Sequence, residues 1–419
     1  MVPSIVSLLL LYPMTMAMIW MVLALIQASG RESRERWLTR PPQGADGPAI
    51  SVLIPCFNEG PLLGETLSAA LSLQWPDYEV IAINDGSRDG TGPTLEAWAA
   101  REPRLRVVHL AINQGKALAL RAGALLARHE LLLCIDADAR LDPWAAAWMV
   151  RHFAEDHQLG AITGNPRIRN RRTLLGQLQV GEFSMIIGLI KRAQQLMGGL
   201  FCVSGVIAAF RRSALEQVGF WDPECLTEDI AITWKLQRAG WRVLYEPHAL
   251  VWILMPETLG GLWHQRLRWA QGGLQVLLGN LNLLASPRQW RLLPLIVEPL
   301  LSLAWVYTIV IITLMHLFAP EMLHSEWMFA KHPHPLHPHA LHGAILLLVM
   351  TALVQLFVSV WLDFPYDPGV ARNGFWMIWY LLFFWLISFV ATVIALPKVL
   401  LRPRSQRARW VSPDRALKV

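Results

Sequence analysis

Four acidic positions and one basic-aromatic run are the residues best suited to chemistry in this chain. Asp136-Ala137-Asp138 directly follows the apolar run 131–135, and residues two apart on an extended chain point to the same side. Both carboxylates can therefore face one ligand. Mg2+ or Mn2+ takes one or two carboxylates and completes its shell with phosphate oxygens and water, so the pair suits a metal–diphosphate complex. Acidic pairs after strands also build ordinary turns, and Asp85 in Asn84-Asp85-Gly86 has the same two readings.

Thr227-Glu228-Asp229 stands before the stretch 230–239. As structure it is a helix N-cap with two acids favoured by the helix dipole, although Ile230 leaves the reciprocal capping box incomplete. As chemistry it offers Asp229 as a general base, which must reach an acceptor hydroxyl and stay ionised beside the substrate. About forty residues on comes Gln265-Arg266-Leu267-Arg268-Trp269. It reads as an amphipathic helix anchored at a bilayer surface by Trp and Arg. It also reads as an indole face for a sugar ring beside guanidinium groups that grip a diphosphate. The two readings are compatible.

Positioning these residues requires a framework. The short apolar runs 49–54, 79–83, 106–110 and 131–135 are each bounded by turn residues, as buried parallel strands are. Helical stretches 62–73, 91–101 and 115–128 lie between them, and the alternation predicts a doubly wound α/β sheet. In such sheets ligands bind beyond the carboxyl ends of the strands, where Asn58, Glu59, Asp85, Asp136 and Asp138 fall. No Gly-x-Gly-x-x-Gly follows the first strand, and Asn113-Gln114-Gly115-Lys116 lacks the glycine loop of a P-loop. A dinucleotide dehydrogenase and a P-loop ATPase are both disfavoured.

Of 419 residues, 54% are hydrophobic and only 16% charged, and the deficit in charge is concentrated at the two ends. Residues 2–27 carry no charge and run too long for the apolar core of a cleaved signal peptide, about 7–15 residues. Three more uncharged runs, 299–318, 343–362 and 374–396, meet the ~20-residue requirement of a spanning helix. The expected organisation is an N-terminal span (1–28), a basic linker (29–48), a soluble domain (49–256) and an interfacial segment (257–294). Three apolar segments within 295–397 and a basic tail (398–419) complete it. The formal charge of +6 gathers beside the spans, at Arg31, Arg34, Arg36 and Arg40 and from Lys398 to Lys418. That fits the positive-inside bias and anionic headgroups instead of nucleic acid. Cys56, Cys134, Cys202 and Cys225 show no close pairing and suit a reducing compartment better than a disulfide framework or a zinc site.

Taken in order, Ser51-Val52-Leu53-Ile54-Pro55-Cys56-Phe57-Asn58-Glu59, Asn84-Asp85-Gly86-Ser87, Asp136-Ala137-Asp138, Thr227-Glu228-Asp229 and Gln265-Arg266-Leu267-Arg268-Trp269 carry a resemblance. The chain resembles the processive family 2 glycosyltransferases, the group of cellulose, chitin and hyaluronan synthases. The segments 163–169, 203–212, 252–259 and 406–415 narrow the resemblance to bacterial synthases of β-1,6-linked poly-N-acetylglucosamine, and it covers nearly the whole chain from about Ile50 onward. One departure is the single N-terminal span, where such relatives often have two.

The resemblance implies an integral membrane protein of the bacterial inner membrane, with an α/β GT-A (Rossmann-like) domain inserted between transmembrane helices and facing the cytoplasm. It implies UDP-N-acetylglucosamine (UDP-GlcNAc) as donor, inversion at the anomeric carbon, and extrusion of the growing glycan chain across the lipid bilayer for a biofilm matrix. On that basis Asp85 contacts the nucleotide, Asp136 the UDP and Asp138 the metal, Mg2+ or Mn2+, with Lys116 and Arg268 at the diphosphate. Asp229 deprotonates the 6-hydroxyl of the growing chain, Trp269 stacks on the acceptor sugar, and Gln265, Glu228 and Ser204 complete the acceptor side. Phe201-Cys202-Val203-Ser204 falls at the acceptor-facing loop of cellulose synthases, with Val203 in place of their glycine and no catalytic task for Cys202. A small membrane subunit, cyclic di-GMP activation and outer-membrane export machinery are implied as partners.

Two other enzyme readings are a related synthase using another UDP-sugar or linkage, and a transferase that passes one sugar to a lipid carrier. Gln265 to Trp269 favours polymerisation, because a single transfer needs no platform for an elongating glycan. A transporter or receptor with a degenerate nucleotide domain is expected to have lost its carboxylates, yet Asp85, Asp136, Asp138 and Asp229 all stand. Topology does not close from the sequence: three spans after a cytoplasmic domain leave the tail outside, while Lys398, Arg402, Arg404, Arg407 and Arg409 argue for inside. Either one apolar run does not cross fully or the tail breaks the rule. His332, His334, His337, His339 and His342 are read as a plain extracytoplasmic loop, since Pro333, Pro335 and Pro338 break any metal-binding spacing.

Overall fold

A computed structural model describes residues 5–42, 44, 46–60, 62–319, 338–403 and 406–408. His332, His334 and His337, and the tail segment 409–415, lie outside the described residues. One eight-stranded sheet organises the soluble part, in the order β3-β2-β1-β4-β7-β6-β8-β5. The first four strands are β1 (Ile50–Cys56), β2 (Tyr78–Asp85), β3 (Leu105–Leu110) and β4 (Leu131–Ile135), all parallel, as the alternation predicts. Every residue of β1, β2 and β4 is buried, whereas β3 closes the edge and is half-exposed.

The second half departs from a purely parallel sheet. It comprises β5 (Arg140–Leu141), β6 (Leu159–Ile168), β7 (Ile207–Arg211) and β8 (Arg242–Ile253). β7 enters antiparallel to both β4 and β6, while β6 and β8 run parallel. The reversal follows from the long helical excursion between β6 and β7. Leu174–Phe183 continues through a π-helical Ser184–Ile190 into Lys191–Leu196, and the chain comes back through the turn 202–205 beside the acidic residues instead of crossing over the sheet.

Among the described residues, four helices are long and apolar enough to cross a membrane: Leu9–Ala28, Pro287–Phe318, His342–Asp363 and Pro368–Leu401. The sheet domain is fastened to the ends of two of these helices by buried charge. Asp363 receives Arg167 at 2.6 Å and Arg192 at 3.3 Å, all three side chains being nearly inaccessible. The other side of Arg192 grips Glu32, just after the first helix, at 2.6 Å, and the Tyr366 hydroxyl donates to the same carboxylate at 2.7 Å. Gly188 in the π-helical turn makes room for Asp363, because a Cβ there would collide with its carboxylate. A buried charge is tolerated only when paired and hydrogen-bonded, so these contacts are specific in a way that apolar packing is not.

The last apolar helix does not behave like the other three. It spans Gly374–Leu401, 28 residues, or about 42 Å at ~1.5 Å per residue. Its start packs against the sheet domain, with Met377 on Gly181. Just past its end, Arg402 donates to the Glu224 carbonyl at 3.4 Å, and the Ala408 N–H donates to the Pro223 carbonyl at 2.8 Å. Between those points it lies along helix Leu259–Gly279, placing Tyr380 and Phe384 near Arg266, and Ala395 in one apolar cluster with Leu274 and Leu277. Phe375, Trp379, Leu382 and Leu386 form an exposed apolar face on its other side. Both ends therefore meet the sheet domain. Cysteines introduced at the exposed positions Arg34 and Pro403 are expected to react with a membrane-impermeant maleimide from the same side of the bilayer. Labelling from opposite faces would mean that the helix crosses. Asp363→Asn leaves Arg167 and Arg192 short of a buried counter-charge, and is expected to cost about 3–5 kcal/mol, read as a lowered unfolding midpoint of the purified protein.

Candidate active site

The carboxyl ends of β2 and β4 bring Asp85 and Asp136 to one rim. Asp85 is fully buried, and its two oxygens accept the N–H groups of Gln114 and Gly115 at 2.9 Å each. These bonds anchor the start of helix Lys116–Leu126, whose dipole favours a negative charge there. Burial raises the Asp85 carboxyl above its ordinary value, against the pull of the two N–H groups. Gly115 sits at φ +93°, open to glycine at little cost, and a side chain there would meet the Ala408 carbonyl at 2.7 Å. The basic tail thus passes directly over the loop that Asp85 holds.

Asp85 in this way aims Lys116. The ammonium reaches Asp136 Oδ1 at 2.5 Å, Glu228 Oε1 at 3.2 Å and the Gly205 carbonyl at 3.0 Å. Burial alone would lower the Lys116 pKa, but Asp136, Glu228 and Asp229 together raise it above the ordinary lysine value. Its three donors are all engaged by protein oxygens, a different set of partners from the diphosphate expected for it. Gly205 N–H donates to Asp229 Oδ2 at 3.2 Å, so the turn 202–205 joins the lysine to the proposed base.

Glu228 and Asp229 begin helix Glu228–Arg238, but the preceding Thr227 does not cap it: its hydroxyl makes no side-chain capping bond and faces Gly272 of helix Leu259–Gly279. That contact joins the two ends of the stretch from Thr227 to Gly272. Burial and the neighbouring Glu228 raise the Asp229 pKa, opposed by Lys116 and Arg268. For Glu228, burial pushes up, but Lys116, a backbone hydrogen bond and then Arg268 outweigh it and bring the value below normal. The pair therefore divides: Glu228 holds the charge of the lysine, and Asp229 is the more basic carboxylate.

Helix Leu259–Gly279, N-capped by Thr258 through the Gly261 N–H at 3.0 Å, presents the basic-aromatic run. Arg268 is felt electrostatically at both acids. The Gln265 side chain accepts from Arg266 at 2.7 Å, and the Arg266 guanidinium lies 4.4 Å from the centre of the Trp269 ring. Beneath it is Glu182, a residue that sequence reasoning passed over, paired to Arg266 in a fully buried contact. Burial pushes the Glu182 carboxyl up to about 7 despite Arg266. A lone acid between Val180 and Phe183 in an otherwise uncharged helix was the available signal. Ser204 is buried and accepts from Lys191 at 2.8 Å.

The residues that could hold a metal are Asp138, buried, and Asp136 two residues away on the same turn, where the Ala137 carbonyl accepts from Thr66 at 2.8 Å. Among the described residues no group of three or more His, Cys, Asp or Glu forms a cage. Two carboxylates fit a divalent ion that takes its remaining ligands from phosphate and water. A separate concavity of about 440 Å3, lined by Arg140, Asp142, Arg169, Arg171 and Trp252, contains none of these residues. Two of its arginines are already paired, to Glu65 and Asp367.

Comparison with known proteins identifies the family. Residues 48–272 match the family described as glycosyltransferase like family 2. The poly-β-1,6-N-acetyl-D-glucosamine synthase of Staphylococcus epidermidis is 36% identical over 408 residues, covering 97% of both chains. That of Staphylococcus aureus strain COL is 37% identical with the same coverage. Among solved structures, a mannosyltransferase from Pyrobaculum calidifontis in complex with GDP-Man and Mn2+ aligns at a TM-score of 0.49 and 19% identity, covering 91% of this chain and 99% of that one, a likeness too low to argue from. With its sheet, its rim of carboxylates and a family match over more than half its length, this membrane protein belongs to glycosyltransferase family 2.

Proposed function

We propose that the enzyme polymerises UDP-GlcNAc into β-1,6-linked poly-N-acetylglucosamine at the cytoplasmic face of the bacterial inner membrane and passes the chain outward. The observation that carries this reading is the convergence on Lys116 of Asp136 and Glu228, with Gly205 linking it to Asp229. It sets a donor-side carboxylate and a half-buried base on either side of one turn. The whole-length likeness to poly-β-1,6-N-acetyl-D-glucosamine synthases supports the choice of sugar and linkage.

In the proposed step Asp229 takes the proton of the acceptor 6-hydroxyl as that oxygen attacks the anomeric carbon. The bond to UDP breaks on the opposite side, giving inversion and no covalent enzyme intermediate. Burial makes Asp229 a stronger base, while Lys116 and Arg268 keep it ionised. Asp138, with Asp136 alongside, would hold Mg2+ or Mn2+, which neutralises the diphosphate charge when bound. Trp269 supplies the platform for the terminal sugar, backed by Arg266. The fourth apolar helix is placed along the bilayer surface beside that platform, leaving three crossings and the basic tail inside, which satisfies the positive-inside bias. A small membrane subunit, cyclic di-GMP and an outer-membrane exporter belong to the same proposal and rest on the resemblance alone.

Membranes carrying the enzyme, given labelled UDP-GlcNAc and Mg2+, are expected to yield a high-molecular-weight product that a β-1,6-specific hexosaminidase degrades. Trp269→Ala is expected to abolish that polymer and leave UDP binding largely intact. A single lipid-linked sugar from the wild type, or normal polymer from the variant, would overturn the reading.

A further inference from the structure

Lys191 is a buried ammonium that the reaction as described does not use. It follows the π-helical turn directly and is 5% exposed. Its Nζ donates to the Cys202 carbonyl at 2.9 Å and to Ser204 Oγ at 2.8 Å, with Thr163 Oγ1 at 3.5 Å. Among the described residues no carboxylate pairs with it, which is costly for a buried charge. Its neighbour Arg192 points the other way, into Glu32 and Asp363. The charge is therefore spent on one object, the turn 202–205.

That turn is fixed from both sides. Thr163 Oγ1 accepts the Ser204 N–H at 2.7 Å, Lys116 holds the Gly205 carbonyl, and the Gly205 N–H meets Asp229. The titratable groups facing Lys191 are Cys202 on the turn and Asp229 on helix Glu228–Arg238, while β6 contributes the Thr163 hydroxyl. We propose that Lys191 is a positioning residue for glycosyl transfer, clamping the turn 202–205 so that Gly205 N–H stays on Asp229, and adding its positive charge to those of Lys116 and Arg268 around the base. The inference rests on the reading of Asp229 as that base. Burial pulls the Lys191 pKa down to about 8, with Cys202 and Asp229 opposing, while burial holds the Cys202 thiol well above its ordinary value. The clamp is thus charged below pH ~8 and is lost as the pH rises through that value.

The test is the pH dependence of kcat and of the donor KM, followed by UDP release from the full-length purified enzyme. Wild type is expected to lose kcat above pH ~8. Lys191→Met is expected to lower kcat by about tenfold or more, leave the donor KM nearly unchanged, remove the basic limb and shift the acid limb upward as Asp229 loses a cation. Thr163→Val keeps the charge and loosens the turn, so it is expected to lower kcat with the basic limb in place. A Lys191→Met enzyme with wild-type kcat, or with a lower kcat and unmoved limbs, would overturn the inference. If that variant does not fold, a wild-type kcat flat through pH ~9.5 would do so. Asp229→Asn separates the two failures: loss of activity there with an unmoved Lys191→Met profile condemns the clamp alone, whereas retained activity condemns the base and the clamp together.

Discussion

The structure depends on one half-buried cation, Lys116. Lys116 lies among Asp136, Glu228 and Asp229, three carboxylates that come from β4 and from a helix nearly a hundred residues later in the chain. Like charges this close cannot all stay ionised in a buried site, so without the ammonium some of them would protonate or separate. With it, Glu228 becomes the counter-ion and Asp229 is left as the basic member of the pair. The placement of the lysine is set in turn by Asp85, which uses both oxygens to fix the loop 114–115. A residue expected to meet the nucleotide thus also builds the hub on which the other acids are hung.

A second set of buried charges does for the membrane helices what Lys116 does for the acids. Asp363, Glu32, Arg167 and Arg192 close a cluster that ties the ends of two apolar helices to the sheet domain. The helical excursion 174–196 takes part in every one of these arrangements. Glu182 supports Arg266 under Trp269, Lys191 holds the turn 202–205, and Arg192 faces the membrane cluster. π-helical turns often mark functional sites, and here the turn rotates successive charged residues toward different partners.

The legible part of the fold was the part written in apolar runs. β1, β2 and β4 are buried on both faces and read as short hydrophobic segments closed by turn residues. β6 is equally buried and β8 largely so, but they carry Thr163, Asn165, Arg167, Glu246 and His248 inside, so neither alternation nor a continuous apolar run announces them. The acids of the site were legible because turn residues after strands fall at the ligand-binding rim. Lys191, Glu182 and Asp363 were not, since a charged residue within or beside an apolar stretch looks like a solvent-facing side chain or a span boundary until its buried partner is known. The fourth apolar run shows the same limit from the other direction: length and composition identify a helix that can cross, and only the contacts at both of its ends place it beside helix Leu259–Gly279.

The central claim is that Asp229 draws a proton from the 6-hydroxyl of an acceptor glycan held beside Trp269. The most direct measurement offers the purified enzyme labelled UDP-GlcNAc with a short β-1,6-linked glucosamine oligomer, and in parallel with the same oligomer lacking its terminal 6-hydroxyl. Extension of the first and none of the second is the expected result. Equal extension of both, or transfer of sugar to neither while lipid becomes labelled, would contradict it.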